Sequence, residues 1–310
     1  MLSVTTIERL LQGVTGRIPT MENPEITLEC NPDDCSATYI RDLKSVGVNR
    51  VSLGVQALDM ATRTFLGRRH TLQQSLQAIE TIAHAGISSF SVDVIFGVPG
   101  QSDEALLTTL EQIVSFGTPH ISAYHLTVEG KTKFAHMLRQ GRFNEVDESI
   151  SERQFNLVHQ CLTTAGYCHY EVSNFALAGH LAQHNSAYWL GVPYIGLGPS
   201  AHSFDGNSRS WNIGNYERYC TALVDGQRPS ECERLTPDEA FEEWVLTRLR
   251  TVWGLDLDEG ARLFGSERIR VLCTRAEPLL ALGHLQLQGG CLTIPQEHFI
   301  LSDGIILSLL

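Results

Sequence analysis

The chain has 310 residues, 43% hydrophobic and 19% charged, which supplies a large core and excludes global disorder. Against 23 basic residues stand 35 acidic ones, and a net charge of −12 has the wrong sign for a general binder of phosphate backbones, so no nucleic-acid partner is expected. No run of about 18 uncharged apolar residues occurs, so no transmembrane segment is expected either. The opening MLSVTTIERLLQG lacks the basic head and apolar run of a signal peptide. Its eight scattered cysteines, none in a C-x-x-C pair, then read as reduced thiols of a cytoplasmic protein.

In chain order, apolar residues at three- and four-residue spacing predict helices over 3–15, 36–46, 57–66, 71–85 and 103–116. Between them, β-rich runs predict strands over 25–29 (EITLE), 50–56 (RVSLGVQ), 89–96 (SFSVDVIF) and 120–126 (HISAYHL). Strands separated by helices are parallel βαβ units, because a parallel neighbour requires a long crossover. Each strand carries a polar side chain near its end: Glu29, Gln56, Asp93, and His125 with Thr127. Parallel α/β sheets and barrels place their sites at the carboxyl ends of strands, so these groups predict one shared ligand pocket.

Residues 147–165 read as one long helix. The Gly- and aromatic-rich stretch 166–211, with YEVSNFA, HNSAYW and YIGLGPSAHSF, reads as irregular backbone folded around something flat or close-fitting. From about 231, helices over 237–251, 255–264 and 266–282 precede a β-like pair at 284–288 and 290–294, a small α+β C-terminal domain with a winged-helix-like order. His180 and His184, four apart, could share a helix face, but their neighbours lack zinc-site spacing, and no metal ligand set is expected. FGVPGQ lacks the lysine and hydroxyl of a phosphate loop.

EITLECNP, GVNRVSLGVQALD, LGRRH, FSVDVIFGVPGQ, HISAYHLTVE, YEVSNFA, HNSAYW and GLGPSAHS occur in an order that resembles the radical S-adenosylmethionine (SAM) proteins related to oxygen-independent coproporphyrinogen III oxidase, and more closely the HemW branch of proposed heme chaperones. The resemblance covers about residues 3–225 well and the remainder loosely. It implies an α/β fold, an incomplete (β/α)6 partial barrel of TIM type over 1–225 with a heme- or substrate-side extension from about 147, and a HemN-type C-terminal domain over 231–310. By motif position, Glu29, Gln56, Arg68, Asp93 and Thr127 correspond to SAM-contacting residues, and His184, Asn185, Tyr188 and Trp189 of the HNxxYW motif to heme-binding ones. The chemistry agrees: an arginine can clamp a methionyl carboxylate, carboxylates accept from ammonium or ribose hydroxyls, and a histidine nitrogen with flat aromatic neighbours suits heme. His202 stands where the oxidase branch has an apolar residue, which weighs toward HemW.

The implied function is binding heme and delivering it to an acceptor protein, with an electron donor as a further partner. The alternatives are an oxidase-like enzyme of porphyrin biosynthesis and an inactive truncated remnant. The resemblance also implies SAM and a [4Fe–4S] cluster held by CxxxCxxC. No CxxxCxxC and no GGGTP segment occur here, and MLS matches residues just after that segment. The chain as written is therefore expected to lack the first two βα units and the cluster, to be catalytically inactive, and to expose EITLE as a sheet edge prone to self-association.

Overall fold

A computed structural model describes residues 2–310, which divide into one unit up to Leu181 and a second from Ala182 to Leu310. The first unit runs α1 (Val4–Thr15), β1 (Thr27–Cys30), α2 (Ala37–Ser45), β2 (Arg50–Gln56), α3 (Met60–Phe65), α4 (Leu72–His84), β3 (Ser89–Phe96), α5 (Asp103–Ser115), β4 (His120–His125), α6 (Lys133–Arg139), α7 (Glu148–Thr164), β5 (Cys168–Glu171) and β6 (Asn174–Ala176). Its helices other than α7 start where side-chain oxygens satisfy a first free N–H group. Ser3, Ser36 and Ser102 cap α1, α2 and α5, and Thr71 with Gln74 forms a reciprocal capping box on α4.

These strands form one sheet in the order β1-β2-β3-β4-β6-β5. The first four are parallel, as the alternation of strand and helix requires, and β1 is the edge. The stretch YEVSNFA differs from expectation. Instead of irregular backbone it makes the short hairpin β5–β6, which joins the sheet antiparallel to β4 through His120↔Ala176, Ile121↔Phe175 and Ser122↔Asn174. The strands also differ from the continuous apolar runs of sheets buried on both faces. Val51, Leu53, Val55, Val92, Val94 and Ile121 are fully buried on one face, where α4 and α7 pack, while the alternate positions are mostly polar.

The second unit runs α8 (Gln183–Trp189), β7 (His202–Phe204), β8 (Ser208–Asn212), α9 (Tyr216–Val224), β9 (Ser230–Arg234), α10 (Pro237–Arg248), β10 (Leu255–Asp256), α11 (Leu257–Phe264), α12 (Ser266–Ala281), β11 (Gln286–Gln288), β12 (Cys291–Thr293) and α13 (Ser302–Leu309). It holds two antiparallel sheets, β7-β8-β9 and β10-β12-β11. The helix–strand–helix–helix–hairpin order from α10 to β12 is that of a winged helix. Its core gathers Trp244, Val245, Leu249, Leu255, Leu272, Leu292, Phe299 and Ile306. Among the described residues, no helix is long and apolar enough to cross a membrane.

Candidate functional sites on the sheet face and on helix α8

The face of the barrel sheet turned away from α4 and α7 is a polar surface. Strand alternation places Arg50, Ser52 and Gly54 of β2, Ser91 and Asp93 of β3, and His120, Ser122 and Tyr124 of β4 on it, and the registers Asp93↔Gly54 and Asp93↔Ser122 align them in rows. Asn174 pairs with Ser122, and Glu171 with Asn174, so the hairpin extends the same face. Glu29 of β1 is exposed and pairs with Ser52. Gln56 ends β2 in the left-handed region (φ 71°), beside a register shift between Gly54 and Gln56. A Cβ at Gly54 would lie 3.1 Å from Gln56 Nε2, so the bare glycine leaves the room that the amide occupies.

Asp93 is the centre of this face. Ser91 Oγ donates to Ser52 Oγ at 2.9 Å, and Ser52 Oγ donates to the two Asp93 oxygens at 3.2 and 3.3 Å. Burial pushes the Asp93 carboxyl up to about 6, opposed by hydrogen bonds from Ser122 and Ser52 and raised further by the charge of Glu29. Arg68 lies in the loop after α3 and feels the charge of Asp93 without an ion pair to it. Gly67, in the left-handed region just past that helix, turns the chain, and Arg68 N–H bonds back to Arg63 O at 2.9 Å. Burial lowers the Arg68 guanidinium and the charge of Asp93 opposes this. Arg68 Nε is buried without a hydrogen-bond partner.

Sequence reasoning missed part of this face. Glu171 is 1% exposed, and burial pushes it up to about 7 although the Asn174 amide and Ser173 N–H both donate to it. The Tyr124 phenol is raised by burial and by the charges of Asp93, Glu171 and Glu29. The signal that would have found these groups is strand parity with Asp93. Parity also separates one expected member. His125 lies on the opposite face, where Nε2 is 2.9 Å from Ser151 Oγ of α7 and the ring packs edge-on to Phe96. Thr127 follows β4 and is exposed, with Oγ1 donating to His125 O at 3.5 Å.

In the second unit, HNSAYW forms most of α8. His184 and Tyr188, four residues apart, share a helix face. Tyr188 Oη and His184 Nε2 are 2.8 Å apart and the rings meet edge-on at 4.7 Å. Burial raises the Tyr188 phenol above its ordinary value. Tyr188 stands edge-on to Tyr194 at 4.6 Å, and Tyr194 is paired through its backbone with Phe204 and lies 6.2 Å from its ring. Asn185 and Trp189 are half-buried on the same helix. Nearby in sequence, Val192, Ile195 and Leu197 are 46%, 69% and 69% exposed. His202 of β7 packs beside Trp211 of β8. A Cβ at Gly196 would lie 2.1 Å from His202 O, so only glycine lets these segments approach. His180 precedes α8 and meets Ser89 Oγ at 3.3 Å, so the two histidines do not share a helix.

A sequence model of the radical SAM superfamily matches residues 5–113. The heme chaperone HemW of Mycobacterium tuberculosis (strain ATCC 25618 / H37Rv) is 32% identical over 302 residues, 97% of this chain and 75% of that protein. The chain belongs to the HemW family of radical SAM proteins. The heme chaperone HemW of Bacillus subtilis (strain 168) is also 32% identical, over 85% of this chain and 70% of that protein. The fold is that of coproporphyrinogen III oxidase (HemN) from Escherichia coli, a radical SAM enzyme: the TM-score is 0.79 over 99% of this chain and 74% of that one, at 18% identity.

HemW membership brings with it the expectation of SAM and a [4Fe–4S] cluster. The cysteines of this chain do not fit the cluster. Cys30 ends β1, Cys35 follows the turn over Pro32–Asp34 with its Sγ donating to Asn31 O at 3.3 Å, and among the described residues no group of three or more His, Cys, Asp or Glu side chains could hold a metal ion. The polar sheet face is a different case. Its registers align two carboxylates, Glu29 and Asp93, near the Gln56 carboxamide, and the Arg68 guanidinium, whose Nε has no partner, feels the charge of Asp93.

Proposed function

We propose that this chain carries heme on the α8 surface and passes it to an acceptor protein, and that the barrel sheet face binds SAM. The heme reading rests on the HNSAYW helix. It presents an imidazole and a phenol together on one exposed face, continued by the rings of Tyr194 and Phe204 and followed by exposed aliphatic residues. A porphyrin needs a ligating atom for iron and flat apolar area for the macrocycle, and this surface offers both. His184, Tyr188 and Trp189 would contact the heme, with Asn185 as a polar partner. The HemW relatives named above are heme chaperones, and the transfer step is carried over from them.

For SAM, Arg68 would take the methionyl carboxylate through the Nε that lacks a partner, Asp93 and Glu29 would accept from the ammonium or ribose hydroxyls, and Gln56 would hydrogen-bond in both senses. Thr127 would contact the adenosine through its backbone. SAM bound there would bring a sulfonium whose carbon–sulfur bonds are the reactive ones. Sharing the HemN fold does not carry HemN chemistry to this chain. The acceptor and an electron donor are the partners this reading calls for, and the setting is cytoplasmic.

The test is titration of the full chain with ferric hemin. A saturable Soret shift that weakens at least tenfold in His184→Ala supports the heme site. No shift in either protein rejects it, and an equal shift in both reduces it to nonspecific adsorption.

A further inference from the structure

We propose that Tyr188 is the ligand of ferric heme on this surface and that His184 is the base that receives the phenol proton as the iron–oxygen bond forms. This rests on the heme reading above and deepens it by assigning the ligating atom.

The Nε2 of His184 is a nitrogen that iron could use, but it faces Tyr188 Oη at 2.8 Å. Ligation through Nε2 has to break that hydrogen bond and move the phenol aside. Ligation through Tyr188 keeps it. The O–H bond breaks, its proton moves along the existing contact to Nε2, and the phenolate lone pair forms the Fe(III)–O bond while an iron-bound water leaves to solvent. No electron is transferred. The neutral hydrogen bond becomes a phenolate–imidazolium pair, which is charge-assisted and stronger. The phenolate also cancels the positive charge of a ferric porphyrin, and tyrosinate is a known class of axial heme ligand.

Two further observations agree. Tyr188 is 41% exposed, open to an incoming macrocycle. A protonated phenol needs a base beside it to give up its proton as the iron–oxygen bond forms. The i, i+4 spacing on α8 supplies that base. The arrangement also provides a release step. When a one-electron donor reduces Fe(III) to Fe(II), the porphyrin becomes neutral and a hard anionic oxygen loses its advantage. The proton returns from His184 to the phenolate, the Fe–O bond breaks, and the heme is freed for the acceptor.

The experiment follows ferric hemin bound to the full chain by resonance Raman and absorption spectroscopy, in the wild type, Tyr188→Phe and His184→Ala, then after reduction with dithionite. An iron–phenolate vibration is expected in the wild type and absent in Tyr188→Phe. In His184→Ala it persists with affinity about 10- to 100-fold lower, the scale of one hydrogen bond to a charged group. Dithionite should release heme from the wild type. An imidazole-ligated wild-type spectrum, lost in His184→Ala and unchanged in Tyr188→Phe, overturns the inference and leaves the heme reading standing. No Soret response in the wild type overturns both. The vibration in the wild type alone decides the ligand if either variant misfolds.

Discussion

Replacing Asp93 by asparagine should make the protein more stable at neutral pH while weakening SAM binding. In the folded chain the carboxyl keeps its proton to about 6, against 3.8 for an ordinary aspartate. Between these values the folded state binds the extra proton, so stability falls as pH rises, and the whole cost persists above the folded value. A gap of about two pH units at about 1.36 kcal/mol each is about 3 kcal/mol. Asparagine keeps one oxygen as an acceptor for Ser52 and turns an N–H toward it at the other, a loss of about 1 kcal/mol. The net gain at pH 7.5 is about 2 kcal/mol, or a Tm higher by about 4–8 °C. At pH 5 only about half of the cost is present, and the gain should shrink below about 1 kcal/mol. Urea and thermal unfolding of both proteins at the two pH values measure this. An Asp93→Asn protein no more stable than wild type at pH 7.5, or a gain that does not shrink at pH 5, refutes the reasoning.

Arg68→Lys should lower SAM affinity about tenfold or more by calorimetric titration, because an ammonium cannot reproduce the planar fork, while the melting curve stays put; an unchanged Kd would remove Arg68 from the site. Gly196→Ala should cost at least about 2 kcal/mol, since the new methyl meets the His202 backbone at 2.1 Å and the Tyr194–Phe204 pairing has to open. The same variant should blunt the hemin response without altering SAM binding, and an intact response would detach that aromatic track from the heme site.

The parallel core was readable because each of its segments announces itself by period and by cap. Residues 50–56 and 89–96 are β-rich runs bounded by helix signals, and they form β2 and β3 over those same spans. The helix expected at 57–66 begins only at Met60, because Gln56 turns left-handed and Asp59 serves as the cap. The β5–β6 hairpin was not readable. Its arms are four and three residues long, Val172 and Ser173 carry no turn signal, and Tyr170 and Glu171 are both buried, which erases the alternation. The strand Ser208–Asn212 is half-buried throughout and mostly polar, so nothing in it contrasts with loop sequence. At the sites, Glu29, Gln56 and Asp93 stood out as polar groups at strand ends, while Arg68 came only from its motif. Ser52, Ser91 and Ser122 escaped because a mid-strand serine carries no mark of its own, and their meaning comes from the register that aligns them with Asp93.

Two carboxyls on the sheet face titrate close to neutrality, Asp93 at about 6 and Glu171 at about 7. Any cation that settles there favours their ionised forms and so expels part of a proton into the medium. Uptake therefore tightens as the solution is made more alkaline across that range, and the heat measured on mixing includes the ionisation enthalpy of whatever buffer collects the proton. Running the same titration in phosphate and in Tris would turn this difference into a count of protons released.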